Sequence, residues 1–170
     1  CYGWSCFPKD VKALIRSGKQ EGFYFQILEA TEEVNQTQKV IRVSEIENYF
    51  KGDLKGKKSA LWGFAFKANT DDIREASSLD NIKLLLEKGA EITAYDSIAE
   101  ENVRQVLGDD ISYAQDMYSA LEGAECLLIA TEWSEFKNPN FELMAKKMNN
   151  KAIFDGRNMF ALEQVEDKGF

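Results

Sequence analysis

Three places in the sequence carry residue types suited to chemistry. The first is Cys6, in a glycine-containing opening loop directly ahead of a helix that Pro8 would start, with Lys9 close behind. A helix amino terminus and a nearby cation depress a thiol's pKa, and the thiolate is the nucleophilic form; the same position also suits an inert loop cysteine. The second is the run from Gly63-Phe-Ala-Phe66-Lys67 to Asp71-Asp72-Ile-Arg74-Glu75. Lys67 and Arg74 there lie near a helix start, where backbone N–H groups and the helix dipole favour an anion. Their other role would be a solvated ion network with Asp71, Asp72 and Glu75. The third is Asp155-Gly156-Arg157-Asn158, where glycine lets the backbone approach a ligand and a guanidinium can fork onto phosphate. Asp96-Ser97 fits a helix cap better than it fits a ribose-binding acid. Trp133 and Phe136, in the segment that follows Thr131, either stack on a ligand or close the core.

The elements that position these residues follow from hydrophobic period. After an opening helix that Gly18 and Gly22 would interrupt, apolar residues recur at helical spacing from 23 to 50 without Gly or Pro, which predicts a long helix. Seven turns exceed what a small domain needs, so this helix is expected to join two domains or to pack against a second copy of the chain. The polar, two-glycine stretch 51–58 marks a boundary, dividing the chain into residues 1–50 and 51–170. Beyond it, short apolar runs at 59–66, 92–95, 111–113, 125–131 and 152–154 alternate with helical stretches at 77–88, 99–107, 117–121 and 141–148. Such alternation implies an α/β fold, a Rossmann-like doubly wound parallel sheet covered on both faces. Ligands then bind beyond the carboxyl ends of the strands, where Lys67, Arg74 and Arg157 would share one rim. Cys126 falls inside an apolar run and reads as core.

Composition narrows the chemistry further. The 170 residues include no histidine, which removes histidine acid/base catalysis, serine–histidine nucleophile pairs and histidine metal ligands from this chain. Three cysteines without a CxxC pair give neither a disulfide framework nor a zinc site, so no metal is expected, and a reducing cytoplasm is the natural setting. Twenty-one Lys and Arg against 29 Asp and Glu leave a net charge of −8, which argues against nucleic acid as a partner. No apolar run approaches the roughly 20 residues of a membrane helix. The turn after the first strand lacks the GxGxxG that holds a dinucleotide pyrophosphate.

Four ordered segments carry a resemblance. Tyr2-Gly3-Trp4-Ser5-Cys6-Phe-Pro-Lys-Asp10, Gly63-Phe-Ala-Phe66-Lys67 with Asp71-Asp72-Ile-Arg74-Glu75-Ala76, Thr131-Glu132-Trp133, and Phe154-Asp155-Gly156-Arg157-Asn158 resemble the motifs of the nucleotide-sugar 6-dehydrogenases, in the branch that oxidises UDP-glucose. The resemblance implies an NAD-dependent oxidoreductase that makes UDP-glucuronate, with Cys6 carrying the sugar through a thiohemiacetal and a thioester over two hydride transfers. It implies Asp10 as the assistant in proton transfer, Tyr2, Gly3, Phe66, Lys67 and Arg157 as substrate-binding residues, and Arg74 as the residue that reaches NAD. NAD itself would be bound mainly by an amino-terminal domain with no counterpart here, and the family's catalytic lysine and glutamate would lie upstream of Cys1. A homodimer through the long helix is the expected assembly. GDP-mannose or UDP-N-acetylmannosamine is the alternative substrate, and a non-catalytic nucleotide-binding or oligomerisation module the alternative of another class. Trp4 departs from the family's second glycine, placing an indole where the loop backbone approaches the sugar.

Overall fold

The computed structural model describes residues 7–170. Two helices, α1 (Phe7–Gln20) and α2 (Gln26–Tyr49), precede five strands: β1 (Lys58–Trp62), β2 (Glu91–Tyr95), β3 (Ser112–Tyr113), β4 (Cys126–Ile129) and β5 (Ile153–Asp155). These form one sheet in the order β3-β2-β1-β4-β5, parallel at every pairing. Helix α3 (Ser77–Glu87) links β1 to β2, α4 (Glu100–Leu107) links β2 to β3, and α5 (Phe141–Lys147) links β4 to β5; α6 (Leu162–Glu166) follows β5.

The sheet is doubly wound, as the alternating runs imply. Leu61, Ala94 and Leu128 point to one face, where they meet Val43 and Ile46 of α2, Ile82 and Leu85 of α3 and Val103 of α4. Ala60, Trp62, Leu127 and Ile129 point to the other, against Met117, Leu121, Phe136 and Met144. Because both faces are covered, the strands read as near-continuous apolar runs.

Some boundaries differ from expectation for identifiable reasons. Helix α1 passes through Gly18, which is buried because the Phe25 ring occupies the space a side chain there would need. The chain turns instead at Gly22, whose φ is 74°. Phe23 and Phe25 stack edge-on in that turn, so α2 begins at Gln26. Its buried face is Asn35, Lys39, Val43 and Ile46, so the carboxyl half lies on the sheet's core. The amino half leaves Ile27 and Val34 exposed at 81% and 61%. The expected helix at 117–121 is only a 3-10 turn at Ser119–Leu121, because the Asp116 carboxylate accepts the N–H groups of Tyr118 and Ser119 and closes the turn locally.

One buried carboxylate ties the strand ends together. Asp96, 3% exposed, directly follows β2. Its Oδ1 accepts from the N–H groups of Ile98 (2.9 Å) and Ala99 (2.8 Å), which organises the approach to α4. Its Oδ2 accepts from Phe64 N (2.6 Å), Ala65 N (3.3 Å) and the Trp133 indole Nε1 (3.0 Å). The capping role foreseen for Asp96 is half of what it does; the other half fixes the loops after β1 and β4. Asp96→Asn would turn an NH2 group toward N–H donors and strand at least two of them, at about 1–3 kcal/mol each. At about 2–4 °C per kcal/mol for a chain of this size, thermal unfolding followed by circular dichroism should show a fall of roughly 4–24 °C. An unchanged transition would mean that the clasp does not bear on stability.

Cys126 lies in the sheet with its thiol 3.4 Å from Ser59 Oγ, and burial pushes its pKa up to about 11 despite that bond. Brief iodoacetamide treatment at pH 8 should therefore label Cys6, expected from the sequence at a helix start, before Cys126; peptide mapping that finds Cys126 labelled first would overturn the buried placement of Cys126.

Candidate functional site

Strands β1 and β4 are neighbours whose following connections run to opposite faces, so a crevice opens beyond their carboxyl ends. The loop after β1 is held at four points. Gly63, at φ 90°, lies so close to Thr131 that any Cβ would collide with the threonine side chain. Thr131 Oγ1 donates to Ala65 O at 2.5 Å, and Ser78 Oγ donates to Phe64 O. Phe66 N donates to Asp72 O at 3.0 Å, closing residues 66–72 into a compact loop. Phe66 and Lys67 are half-buried on it.

Arg157 spans the crevice. Its Nε donates to Ala130 O (2.6 Å), just after β4, and its Nη2 donates to Phe66 O (2.5 Å), in the loop after β1. Glu132 Oε2 lies 3.2 Å from the same Nε. Asp155 holds the turn that delivers this arginine, accepting from the N–H groups of Arg157, Met159 and Phe160. Gly156 belongs there because a Cβ would come within 2.7 Å of Ile129 O. The sequence placed Arg157 on the rim; the structure adds that its guanidinium holds the two loops together.

Arg74 is turned outward, 68% exposed at its side chain, and forks onto Asp72 through Nε (2.9 Å) and Nη2 (2.7 Å). Of the foreseen ion network, this pair forms. Glu75 takes different partners: Lys12 of α1 at 3.1 Å and Lys39 of α2 at 2.6 Å. The Lys39 hydrogen bond leads the effects that hold the Glu75 carboxyl below its ordinary range, with Lys12 adding to them against a desolvation that opposes both. For Lys12, desolvation pulls the pKa down, yet bonding to Glu75 and the charges of Glu75 and Glu32 leave it raised. Glu75 is thus ionised at neutral pH.

Helix α3 begins beside the crevice with no side-chain cap at its amino terminus. A pocket of about 110 Å³ adjoins it, lined by Gln38, Arg42, Ser77, Asn81, Ala130 and Arg157 among others. The Oδ1 atom of Asn81, which is 3% exposed, has no hydrogen-bond partner among the described residues. A helix amino terminus without a side-chain cap and a nearby guanidinium suit a phosphate-bearing ligand. Asp10 is exposed in the first turn of α1, 3.9 Å from Lys9. Tyr2, Gly3, Trp4 and Cys6 lie outside the described residues.

The dinucleotide reading of this sheet fails on geometry. A ribose-binding acid at the end of β2 must have an acceptor to spare, and both oxygens of Asp96 are filled by protein N–H groups. The turn after β1 is not glycine-rich, so an NAD pyrophosphate does not fit this sheet. Sequence reasoning missed Lys39, whose side chain is 3% exposed. Its signal was the four-residue spacing that runs back from Val43 along the buried face of α2.

Residues 60–162 match the UDP binding domain of the UDP-glucose/GDP-mannose dehydrogenase family, and residues 1–37 match that family's central domain. A UDP-glucose 6-dehydrogenase of Pseudomonas aeruginosa is 40% identical over 174 residues, an alignment that takes in 99% of this chain and 38% of that protein. Among solved structures, a UDP-glucose dehydrogenase from Pyrobaculum islandicum superimposes with a TM-score of 0.84 at 34% identity, over 98% of this chain and 36% of that one. A UDP-D-ManNAc dehydrogenase from Pyrococcus horikoshii gives 0.76 at 25% identity, over 94% and 36%. The chain therefore spans a little over a third of the length of the relatives it matches. With its all-parallel sheet, its crevice between β1 and β4 and a family match over residues 60–162, the chain belongs to the UDP-glucose/GDP-mannose dehydrogenase family.

Proposed function

We propose that residues 51–170 bind the UDP-sugar substrate of an NAD-dependent UDP-glucose 6-dehydrogenase, and that residues 1–50 supply its catalytic-cysteine loop and the end of its central, dimer-forming helical region. The observation that carries this reading is Arg157, whose guanidinium straddles the loops after β1 and β4 next to the Lys67 loop and the start of α3. Positive charge and a helix amino terminus without a side-chain cap converge there, at the place where an open α/β sheet receives a ligand. Lys67 and Arg157 hold the diphosphate, Phe66, Tyr2 and Gly3 line the sugar nucleotide, and Arg74 faces outward toward the cofactor.

In this reading Cys6 captures the sugar aldehyde and carries it as a thioester to the uronic acid, with Asp10, one turn further on, assisting proton transfer. NAD supplies the hydride acceptor for both oxidations. It is held mainly on a domain other than this sheet, since Asp96 and the β1 turn do not accommodate it. The identities of 34–40% to UDP-glucose enzymes favour glucose over N-acetylmannosamine as the sugar. A cytoplasmic setting follows from the nucleotide-sugar substrate.

Titration of the chain with UDP in a calorimeter should give a binding heat. Lys67→Ala should weaken it about tenfold or more, since a charge-assisted bond contributes roughly 1.5–3 kcal/mol. Arg157→Ala should weaken binding similarly and also lower the melting temperature, because Phe66 O and Ala130 O lose their donor. No NADH absorbance above background is expected from the 170 residues with UDP-glucose and NAD. Absence of any UDP heat would overturn the binding reading, and turnover by the chain would overturn the division of labour between domains.

The exposed apolar residues Phe23, Tyr24, Ile27 and Val34 at the start of α2 form a surface that a second copy would cover. Sedimentation equilibrium should show a dimer that dissociates in Ile27→Glu/Val34→Glu; a strict monomer at high concentration would count decisively against it.

A further inference from the structure

Glu75 sits at φ 55°, a left-handed backbone that strains any residue with a side chain and that glycine would adopt freely. The glutamate is there for its carboxylate. Oε1 accepts from Lys12 Nζ at 3.1 Å and Oε2 from Lys39 Nζ at 2.6 Å, so a single side chain of the nucleotide loop holds both α1 and α2. The other groups facing this cluster are Glu32, 3.6 Å from Lys12, and Asp80, 3.7 Å from Lys39. Lys39 is enclosed, whereas Lys12 is 43% exposed at its side chain. Arg74 precedes Glu75 directly, and α1 begins one residue after Cys6.

We infer that Glu75 is a positioning residue that fastens the helix following Cys6 to the loop bearing Lys67 and Arg74, so that nucleotide binding on the loop stiffens α1. The inference rests on reading that loop as the UDP site. The clasp joins the nucleotide loop to α1 and α2 through one carboxylate, and a strained backbone persists only where its surroundings hold it. Ordering the loop around a nucleotide fixes the carboxylate, and the carboxylate fixes Lys12.

Hydrogen exchange of the chain, with and without UDP, tests this through two variants. Glu75→Gly removes the carboxylate while relieving the left-handed backbone and leaves the Lys12–Glu32 pair in place; Lys12→Met cuts the α1 arm at an exposed lysine, together with that longer pair. In the absence of nucleotide, the amides of α1 should exchange several-fold faster in both variants than in the wild type. Saturating UDP should slow α1 exchange several-fold in the wild type and leave it unchanged in the variants, while residues 66–74 are protected in all three. Wild-type exchange and wild-type UDP protection of α1 in Lys12→Met would overturn the inference, whatever happens to the stability of Glu75→Gly. A wild type that binds no UDP would sink the nucleotide reading alone, because the ligand-free exchange of α1 in Lys12→Met still decides whether the clasp exists.

Discussion

A carboxylate with five N–H donors and no cation fixes the working end of this sheet. Asp96 gathers the backbone after β1, the approach to α4 and the indole that follows β4, so three chain segments distant in sequence meet on two oxygen atoms. Burying an ion is costly unless its lone pairs are filled, and here the filling groups are mostly main-chain amides that would themselves be orphaned without it. The loop carrying Phe66 and Lys67 can leave the strand at a sharp angle because its first two amides are satisfied in this way. Gly63 and Thr131 complete the corner by steric fit.

The cations at the rim divide into kinds. Arg157 is committed to carbonyl oxygens and Lys39 to carboxylates, and both hold loops and helices in place. Lys67 and Arg74 lie on the loop between them. A site made only of mobile cations would bind phosphate by charge alone, with little control of where the sugar lies. Tying Arg157 and Lys39 to the frame gives the nucleotide fixed points of reference.

Much of this was legible in the sequence. The short apolar runs named the strands and their order along the chain, because a strand buried on both faces has few other ways to read, and Arg157 and the helix at 77–88 fell where local chemistry put them. Capping by Asp96 was legible too, since Asx turns depend on residues only two or three apart. Its grip on Phe64, Ala65 and Trp133 was not, because those contacts span more than thirty positions and exist only once the strand order is set. The same holds for Glu75: the sequence paired it with its neighbours Lys67 and Arg74, and the fold gave it Lys12 and Lys39 instead. The short turn at Ser119–Leu121 was read as a full helix because a lone aspartate can end a helical pattern as readily as begin one.

The bonds of Arg157 go to the carbonyl oxygens of Phe66 and Ala130, and every residue type presents the same oxygen. At these two bonds the arginine is therefore indifferent to which side chains stand at 66 and 130. Position 66, which is half-buried, can change its side chain without removing the carbonyl that the arginine grips, whereas Ala130, 5% exposed, is held small by its surroundings. Change in what the crevice receives is thus confined to the few loop positions, such as 66, whose side chains the frame does not use.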